Sequence, residues 1–286
     1  MSELSVRKAE PARDKLISSQ TIAPSMTSYK LLVKNVIKQA DVLLEVVDAR
    51  FPDETRNSEV ESIVSRSGKP FIIVLNKCDL VPREILEKTK NRFSKIAPTV
   101  FVSGKDRFGT TMLRHKILEV ADIKGRDILI GSLGYPNTGK STVINGVAGK
   151  HKAGTSSISG HTRGVQVVDA GSRLRFLDTP GVIPFKEHDE YLQGLLGVKD
   201  STHIKDHIGV ALKIIEKIST ENKTALEAFY KVKIEAGTPT YEVLELIGLQ
   251  CNFLKRKEEV DENRAAVRII NDWQQGKLLV YGPGPY

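Results

Sequence analysis

The first 185 residues alternate between short apolar runs and stretches in which hydrophobic residues recur at helical spacing. Short unbroken runs are typical of buried strands, and hydrophobic positions three and four residues apart indicate amphipathic helices. The runs predict strands at residues 42–47, 71–75, 100–102 and 128–133, followed by a hairpin of 165–168 and 174–177. Helical spacing predicts helices at residues 28–40, 58–64, 83–96, 111–120 and 140–147. This alternation predicts an α/β fold with a mostly parallel sheet flanked by helices.

The pattern changes near residue 186, after which no strand-like run stands out. Residues at helical spacing here include Ile204, Ile208, Ala211, Leu212, Ile215, Ala266, Ile269, Ile270 and Trp273. A further helical segment is predicted at 240–247. The pattern therefore predicts a domain at 26–185, an all-helical C-terminal domain at 186–286, and a basic, flexible arm at 1–25.

Composition is that of a globular protein, with 40% hydrophobic and 27% charged residues in a chain of 286. No apolar run reaches the roughly 18 residues that span a bilayer, and residues 1–25 lack the apolar core of a signal peptide. We expect no membrane association and a cytoplasmic location. The two cysteines, Cys78 and Cys251, predict no disulfide-linked partner.

The charge is unevenly distributed and positive overall. The net charge is +8, and residues 1–40 carry seven Lys and Arg against three Asp and Glu. Such a surplus favours a polyanionic partner such as RNA, although solubility alone accounts for it equally well.

A glycine-rich stretch, GYPNTGKST at residues 134–142, lies between a predicted strand and a predicted helix. This is the context of a P-loop, in which backbone N–H groups and a helix N-terminus bind phosphates. Lys140 is expected to reach the β- and γ-phosphates as a catalytic residue, and the Ser141 hydroxyl to ligate Mg²⁺. The other nucleotide-binding positions expected here are Asn137, Thr138, Gly139 and Thr142.

The second strand ends in Asn76-Lys77-Cys78-Asp79, which predicts recognition of guanine. Asp79 can accept hydrogen bonds from N1–H and the exocyclic amine of guanine, a pair that adenine does not offer. Asn76 is expected to tie this loop to the P-loop, and the stem of Lys77 to cover the ring. Residues 103–105, Ser103-Gly104-Lys105, are expected to bring a backbone N–H to the guanine oxygen.

A third motif, Asp178-Thr179-Pro180-Gly181, follows the hairpin. Asp178 is expected to bind Mg²⁺ through water, and the Gly181 N–H to contact the γ-phosphate during catalysis. Residues 152–164 form a candidate switch in which Thr162 is the expected Mg²⁺ ligand and catalytic contact. The neighbouring His161 is a candidate for orienting water.

In this chain the guanine motif precedes the P-loop, the reverse of the usual order in GTPases. With the sequence DARFP at residues 48–52, this order resembles the circularly permuted GTPases of the YlqF/YawG family. The resemblance covers residues 28–185 and, more loosely, 261–281. It implies GTP hydrolysis in assembly of the large ribosomal subunit, with rRNA as a partner. The family's N-terminal catalytic histidine has no counterpart, because no histidine precedes His115.

Two further assignments follow. Asn137 occupies the position where potassium-stimulated GTPases carry a K⁺-ligating asparagine, which makes K⁺ a possible second cation. Candidate RNA contacts are Lys255, Arg256, Lys257, Arg264 and Arg268. Two alternatives stay open: a GTP-dependent protein-binding switch without an RNA partner, and a P-loop ATPase or kinase in which the guanine motif is coincidental.

Overall fold

A six-stranded sheet forms the centre of the first part of the chain. The computed structural model describes residues 26–149, 166–179, 190–256 and 258–281. The strands are β1 (Val42–Asp48), β2 (Phe71–Asn76), β3 (Thr99–Val102), β4 (Ile128–Leu133), β5 (Gln166–Asp169) and β6 (Leu174–Asp178). Their order in the sheet is β3-β2-β1-β4-β6-β5, and every neighbouring pair is parallel except the β5–β6 hairpin.

Helices cover both faces of this sheet. They are α1 (Met26–Gln39), α2 (Pro52–Thr55), α3 (Ser58–Ser67), α4 (Arg83–Phe93), α5 (Thr110–Ala121) and α6 (Lys140–Ala148). β1 is buried along its whole length. Its Val42, Leu44 and Val46 pack with α5 and α6, whereas Leu43 packs with α1 and α3 on the opposite face. A strand buried on both faces appears in the sequence as a nearly continuous apolar run, interrupted in β1 by the buried Glu45.

The predicted α/β fold with a mostly parallel sheet is confirmed. In this part of the chain the predicted helix ends lie within three residues of the observed ones, and one short helix was missed. α4 ends at Phe93 rather than at residue 96. The Ser94 N–H still bonds to the Lys90 carbonyl, but the Ile96 N–H bonds to the Phe93 carbonyl three residues back, so the chain leaves the helix in a turn. The short helix α2 was not predicted, since a single turn is too short to show a periodicity.

The last part of the chain is helical. It contains α7 (Glu190–Leu195), α8 (His207–Tyr230), α9 (Thr240–Gln250) and α10 (Glu262–Gln274), and within the described residues no strand follows β6. Ile204 lies before α8 but is buried in the same apolar cluster. α8 is kinked at Asn222, whose side-chain amide donates a hydrogen bond to the Val280 carbonyl at 2.8 Å.

The apolar cluster of the helices also includes two residues from the sheet region. Phe51, which follows β1, and Tyr135, in the loop after β4, are buried in it. The rings of Phe51 and Trp273 lie 5.7 Å apart. The helices therefore share a core with the two loops at the carboxyl edge of the sheet. The predicted boundary near residue 185 falls in the stretch 180–189, which lies outside the described residues.

Candidate nucleotide-binding site

The glycine-rich loop joins β4 to α6 at the carboxyl edge of the sheet. α6 begins at Lys140, so its first backbone N–H groups point into the loop. The Lys140 ammonium donates hydrogen bonds to the carbonyls of Gly134 at 3.1 Å and Tyr135 at 2.8 Å. The loop is thus folded around its own lysine, an arrangement suited to binding an anion with N–H groups and one buried cation.

Lys140 is buried, and this burial lowers its pKa to about 8, although Asp178 opposes the shift. The ammonium therefore lacks full compensation for the water it has lost. A phosphate group would supply the missing negative charge, so the side chain is prepared for a polyanionic ligand.

Ser141 and Asp178 meet beside the loop. The Ser141 hydroxyl donates a hydrogen bond to Asp178 Oδ2 at 2.9 Å, while the buried Oδ1 has no hydrogen-bond partner in the part of the chain that the structure describes. Burial raises the pKa of Asp178, against the effects of Ser141 and Lys140. A hydroxyl next to an unsatisfied carboxylate oxygen fits Mg²⁺ bound by Ser141 and, through water, by Asp178.

The described residues contain no group of three or more His, Cys, Asp or Glu side chains that could hold a metal by themselves. A Mg²⁺ ion bound by Ser141 would take further ligands from water and from the phosphate oxygens of a nucleotide. The predicted Thr162, Gly181 and His161 lie outside the described residues.

Asn76 connects three loops at this edge of the sheet. Its Nδ2 donates to the Thr138 carbonyl of the P-loop at 2.8 Å, and its Oδ1 accepts from the Gly104 N–H at 3.0 Å. A Cβ at Gly139 would lie 2.2 Å from Asn76 Nδ2, so only glycine permits this approach. The sequence motifs at 76–79, 103–105 and 134–142 are therefore adjacent in space.

The remaining residues of the guanine motif lie around Asn76. Lys77 adopts a left-handed conformation, with φ of 62°, as the chain leaves β2. Asp79 follows in a half-buried 3₁₀ turn, Cys78–Leu80. The Gly104 N–H donates to Asn76, and the Ser103 hydroxyl donates to Asp106. Of the N–H groups predicted to approach a guanine oxygen, that of Lys105 is therefore the candidate.

Sequence reasoning gave no role to Asp48, although the structure places it against this site. Its carboxylate lies 2.7 Å from the Lys77 ammonium and 2.8 Å from the Arg50 guanidinium. A signal was present in the sequence, because two consecutive parallel strands ending in Asp and Asn bring their last residues side by side.

Asn137 links the P-loop to the helical part of the chain. Its Nδ2 donates a hydrogen bond to the Gly197 carbonyl. The loop that carries Gly197 is held by the end of α10. Trp273 Nε1 donates to the Leu195 carbonyl at 2.9 Å, and Gln274 Nε2 donates to the carbonyls of Gly194 and Lys199 at 2.8 and 2.9 Å.

The candidate RNA contacts differ in their surroundings. Arg268 is paired with Asp272 at 2.6 Å, and Arg264 stacks on Phe253 with its guanidinium carbon 4.8 Å from the ring centre. Lys255 and Arg256 are exposed, whereas Lys257 is outside the described residues.

The order of these motifs along the chain and their meeting at one sheet edge define a circularly permuted P-loop GTPase fold. The chain belongs to the RsgA GTPase family, whose family model matches residues 18–187. A second family model, described as 50S ribosome-binding GTPase, matches residues 129–250. The resemblance predicted from the motifs is thereby confirmed.

Several GTP-binding proteins are similar over most of the chain. A GTP-binding protein of Methanocaldococcus jannaschii is 39% identical, covering 88% of this chain and 66% of its own length. Nucleolar GTP-binding protein 2 of Pneumocystis carinii is 31% identical, covering 85% of this chain and 51% of its own length. The chain thus spans between about half and two thirds of the length of these relatives.

Solved structures with the same fold include YlqF with GDP bound, at a TM-score of 0.63 and 24% identity, covering 86% of this chain and 95% of that one. GNP-bound YlqF from T. maritima has a TM-score of 0.58 and 24% identity, covering 88% and 95%. Among the described residues, none of the helices has the length and apolar character needed to cross a bilayer.

Proposed function

We propose that the chain binds and hydrolyses GTP with Mg²⁺ and that it acts in assembly of the large ribosomal subunit. The observation that carries the nucleotide assignment is the position of Asn76, which bonds to both the P-loop and the 103–105 loop. This contact fixes a base-recognising loop against a phosphate-binding loop, as a nucleoside triphosphate requires.

In the proposed phosphate site, Lys140 contacts the β- and γ-phosphates and Ser141 ligates Mg²⁺, with Asp178 behind a water molecule. Bound Mg²⁺ would neutralise charge on the phosphate oxygens. Residues Thr162 and Gly181 are assigned to the γ-phosphate side of the site on their sequence motifs. Asn137, Thr138, Gly139 and Thr142 complete the loop that surrounds the phosphates.

In the proposed base site, Asp79 selects guanine, the stem of Lys77 covers the ring, and the Lys105 N–H approaches the guanine oxygen. The ATPase or kinase alternative is disfavoured by Asp79, because adenine would leave this carboxylate without its two donors.

Hydrolysis is proposed to depend on a monovalent cation at Asn137. Its Nδ2 is used by Gly197, so its Oδ1 is the atom available to ligate K⁺. Val182 follows Gly181 where other GTPases place a water-orienting glutamine, so a cation near the phosphates would supply charge stabilisation.

The ribosomal assignment rests on the charge of the chain and on its relatives. A net charge of +8 suits a polyanionic partner, and one matching family model is described as a 50S ribosome-binding GTPase. Exposed Lys255 and Arg256 are the described residues we assign to rRNA contact. A cytoplasmic location stays a prediction.

The test is GTP turnover with and without purified large ribosomal subunits at two salt concentrations. We expect the subunits to accelerate turnover and the acceleration to fall at higher salt, because phosphate contacts release counterions. Turnover that is unchanged by subunits at either salt concentration would contradict the ribosomal role while leaving GTP binding intact.

A second candidate is a GTP-dependent switch that binds a protein. It is favoured by the internal pairing of Arg268 with Asp272 and the stacking of Arg264 on Phe253, which leave fewer cations for RNA. Absence of salt-sensitive RNA binding in the same experiment would favour it.

A further inference from the structure

The carboxylate of Asp48, at the end of β1, is buried between two cations. Arg50 donates from Nε to Oδ1 at 3.0 Å and from Nη2 to Oδ2 at 2.8 Å. The Lys77 ammonium lies 2.7 Å from Oδ2. Burial alone would raise the pKa of Asp48, but Arg50 and Lys77 hold it well below its ordinary value. Asp48 is therefore an ionised carboxylate with both oxygens engaged.

The position of Lys77 depends on this carboxylate. β1 and β2 are in parallel register with Asp48 opposite Asn76, so the next residue, Lys77, turns back across the end of β1. Burial lowers the pKa of Lys77, and Asp48 opposes that shift as its nearest anion. Without Asp48, the ammonium would have no bound counter-ion at this place and would move toward water.

The other side of Asp48 is fixed by the helical part of the chain. The Arg50 guanidinium carbon lies 4.8 Å from the centre of the Phe51 ring and 5.4 Å from that of Trp273. Arg50 is thus held by stacking on α10 while it binds Asp48 with two hydrogen bonds. A continuous set of contacts runs from Trp273 through Arg50 and Asp48 to Lys77.

We propose that Asp48 is a positioning residue for guanine-nucleotide binding: it holds the Lys77 ammonium so that the stem of Lys77 lies flat over the base. This inference rests on the proposed base site, in which Lys77 covers the guanine ring. Asp48 itself lies behind Lys77 and does not touch the nucleotide. Its effect on affinity is therefore expressed only through Lys77.

A double-mutant cycle tests this dependence. GDP affinity is measured by calorimetry for the parent chain, Asp48→Asn, Lys77→Met and the double variant. Each single change should weaken GDP binding by about tenfold or more, because each removes one partner of the buried pair that holds the stem of Lys77 in place. The double variant should bind GDP within about twofold of Lys77→Met alone, since Asp48 has no other route to the base.

A matched control removes the same charge elsewhere. Asp53 pairs with Arg92 at 2.7 Å on the surface, so Asp53→Asn should leave GDP affinity at the parent value. Inosine diphosphate provides a second readout. Asp48→Asn should weaken the binding of GDP and of inosine diphosphate by the same factor, because the stem of Lys77 covers the purine ring in the same way in both.

The outcomes distinguish failure of the proposed base site from failure of the positioning role of Asp48. If Lys77→Met leaves GDP affinity unchanged, the ammonium is not needed to hold the stem over the base and the positioning role of Asp48 is overturned. Unchanged GDP affinity in Asp79→Asn would instead show that the proposed base site is wrong. If Lys77→Met weakens GDP binding, and the fold-losses in GDP affinity of the two single variants multiply in the double variant, the positioning role of Asp48 is overturned. If Asp48→Asn does not fold, Arg50→Met replaces it: we expect a loss of about threefold in the parent and none in Lys77→Met.

Discussion

Buried charges govern the chemistry of this site at the scale of single residues. The Lys140 ammonium bonds to two neutral backbone carbonyls, and burial still lowers its pKa, so its charge is incompletely compensated. The buried Oδ1 of Asp178 has no hydrogen-bond partner among the described residues. A buried polar atom without a partner is uncommon in folded proteins, so Oδ1 indicates a ligand that completes this site.

Asp79 makes base selectivity the most specific prediction at this scale. Asp79→Asn replaces an acceptor by a donor opposite N1–H or the amine of guanine, so we expect GDP affinity to fall by roughly 100-fold or more. Competition between GDP and ADP for the variant measures the effect. Glu84→Gln, an exposed acid in the first turn of α4, is the control for loss of charge. Unchanged GDP affinity in Asp79→Asn would show that this loop does not read the base.

The depressed pKa of Lys140 predicts a pH dependence of triphosphate binding. Phosphates favour the protonated amine, so binding requires proton uptake once the pH exceeds the pKa of about 8 in the nucleotide-free protein. The dissociation constant of GTP should rise by roughly fourfold between about pH 7 and about pH 8.5 relative to Lys140→Met. Parallel pH profiles for the parent and the variant would contradict this.

The same pKa determines how pH affects folding. The pKa of Lys140 in the folded protein, about 8, lies below its ordinary value of 10.5, so the unfolded chain binds the proton more tightly. The contribution of Lys140 to the free energy of unfolding of the nucleotide-free protein should therefore increase as the pH rises through this interval.

At the scale of elements, the end of α10 supports the P-loop from outside the sheet. Trp273 and Gln274 donate to the carbonyls of Leu195 and Gly194 at the end of α7, and Gln274 also donates to that of Lys199 in the loop that follows. The Gly197 carbonyl of this loop accepts from Asn137. The amide of Asn137 is thereby oriented by a helix more than a hundred residues away in sequence.

This contact predicts how potassium stimulation depends on α10. Turnover should be faster in K⁺ than in Na⁺, and Asn137→Ala should remove the difference because the cation loses its side-chain ligand. Gln274→Ala should reduce the difference, since the Gly197 carbonyl is no longer held in place. The adjacent Gln275 is exposed, so Gln275→Ala should behave as the parent. Equal rates in K⁺ and Na⁺ for the parent would refute the role of Asn137.

Elements with a strong hydrophobic pattern could be predicted from the sequence, and contacts between distant elements could not. β1 appears as an apolar run because it is buried on both faces, and the hairpin of β5 and β6 was predicted from two runs separated by Gly171 and Ser172. The motifs likewise predicted that Asn76 would tie its loop to the P-loop, and the structure shows this contact at the Thr138 carbonyl. The Asn137–Gly197 contact has no local signal, because it depends on how separate elements pack. For Asp48, the two strand ends indicate that it lies beside Asn76, but they do not show that its carboxylate pairs with Lys77.

At the scale of the whole molecule, the sheet region and the helices share apolar surface. Phe51 and Tyr135 are buried in the helical cluster, so a chain cut near residue 190 would expose both rings. Loss of function in such a truncation would therefore reflect damage to the nucleotide loops as well as loss of the helices. Point variants in the full chain are the better test.

Trp273 is the residue on which this shared core should depend most. It is 1% exposed, contacts Phe51 and donates to the Leu195 carbonyl. Trp273→Ala should lower the free energy of unfolding by about 3–5 kcal/mol, the usual cost of a large cavity in a core. Denaturant unfolding followed by circular dichroism measures it, with Leu249→Ala, at an exposed position, as the control. A change below about 1 kcal/mol would show that the two regions do not form one core.

The proposed function requires that the bound guanine nucleotide controls the interaction of this chain with the large ribosomal subunit. The most direct measurement is the affinity of the full chain for purified large subunits, by co-sedimentation, with GDP and with a non-hydrolysable GTP analogue. The P-loop contacts the helices through Asn137 and Tyr135. The presence or absence of a γ-phosphate should therefore change the position of the helices that we propose bind the subunit. We predict binding tighter by about fivefold or more with the analogue, and reciprocally tighter analogue binding on the subunit. Equal affinity for the subunit in both nucleotide states would contradict the account.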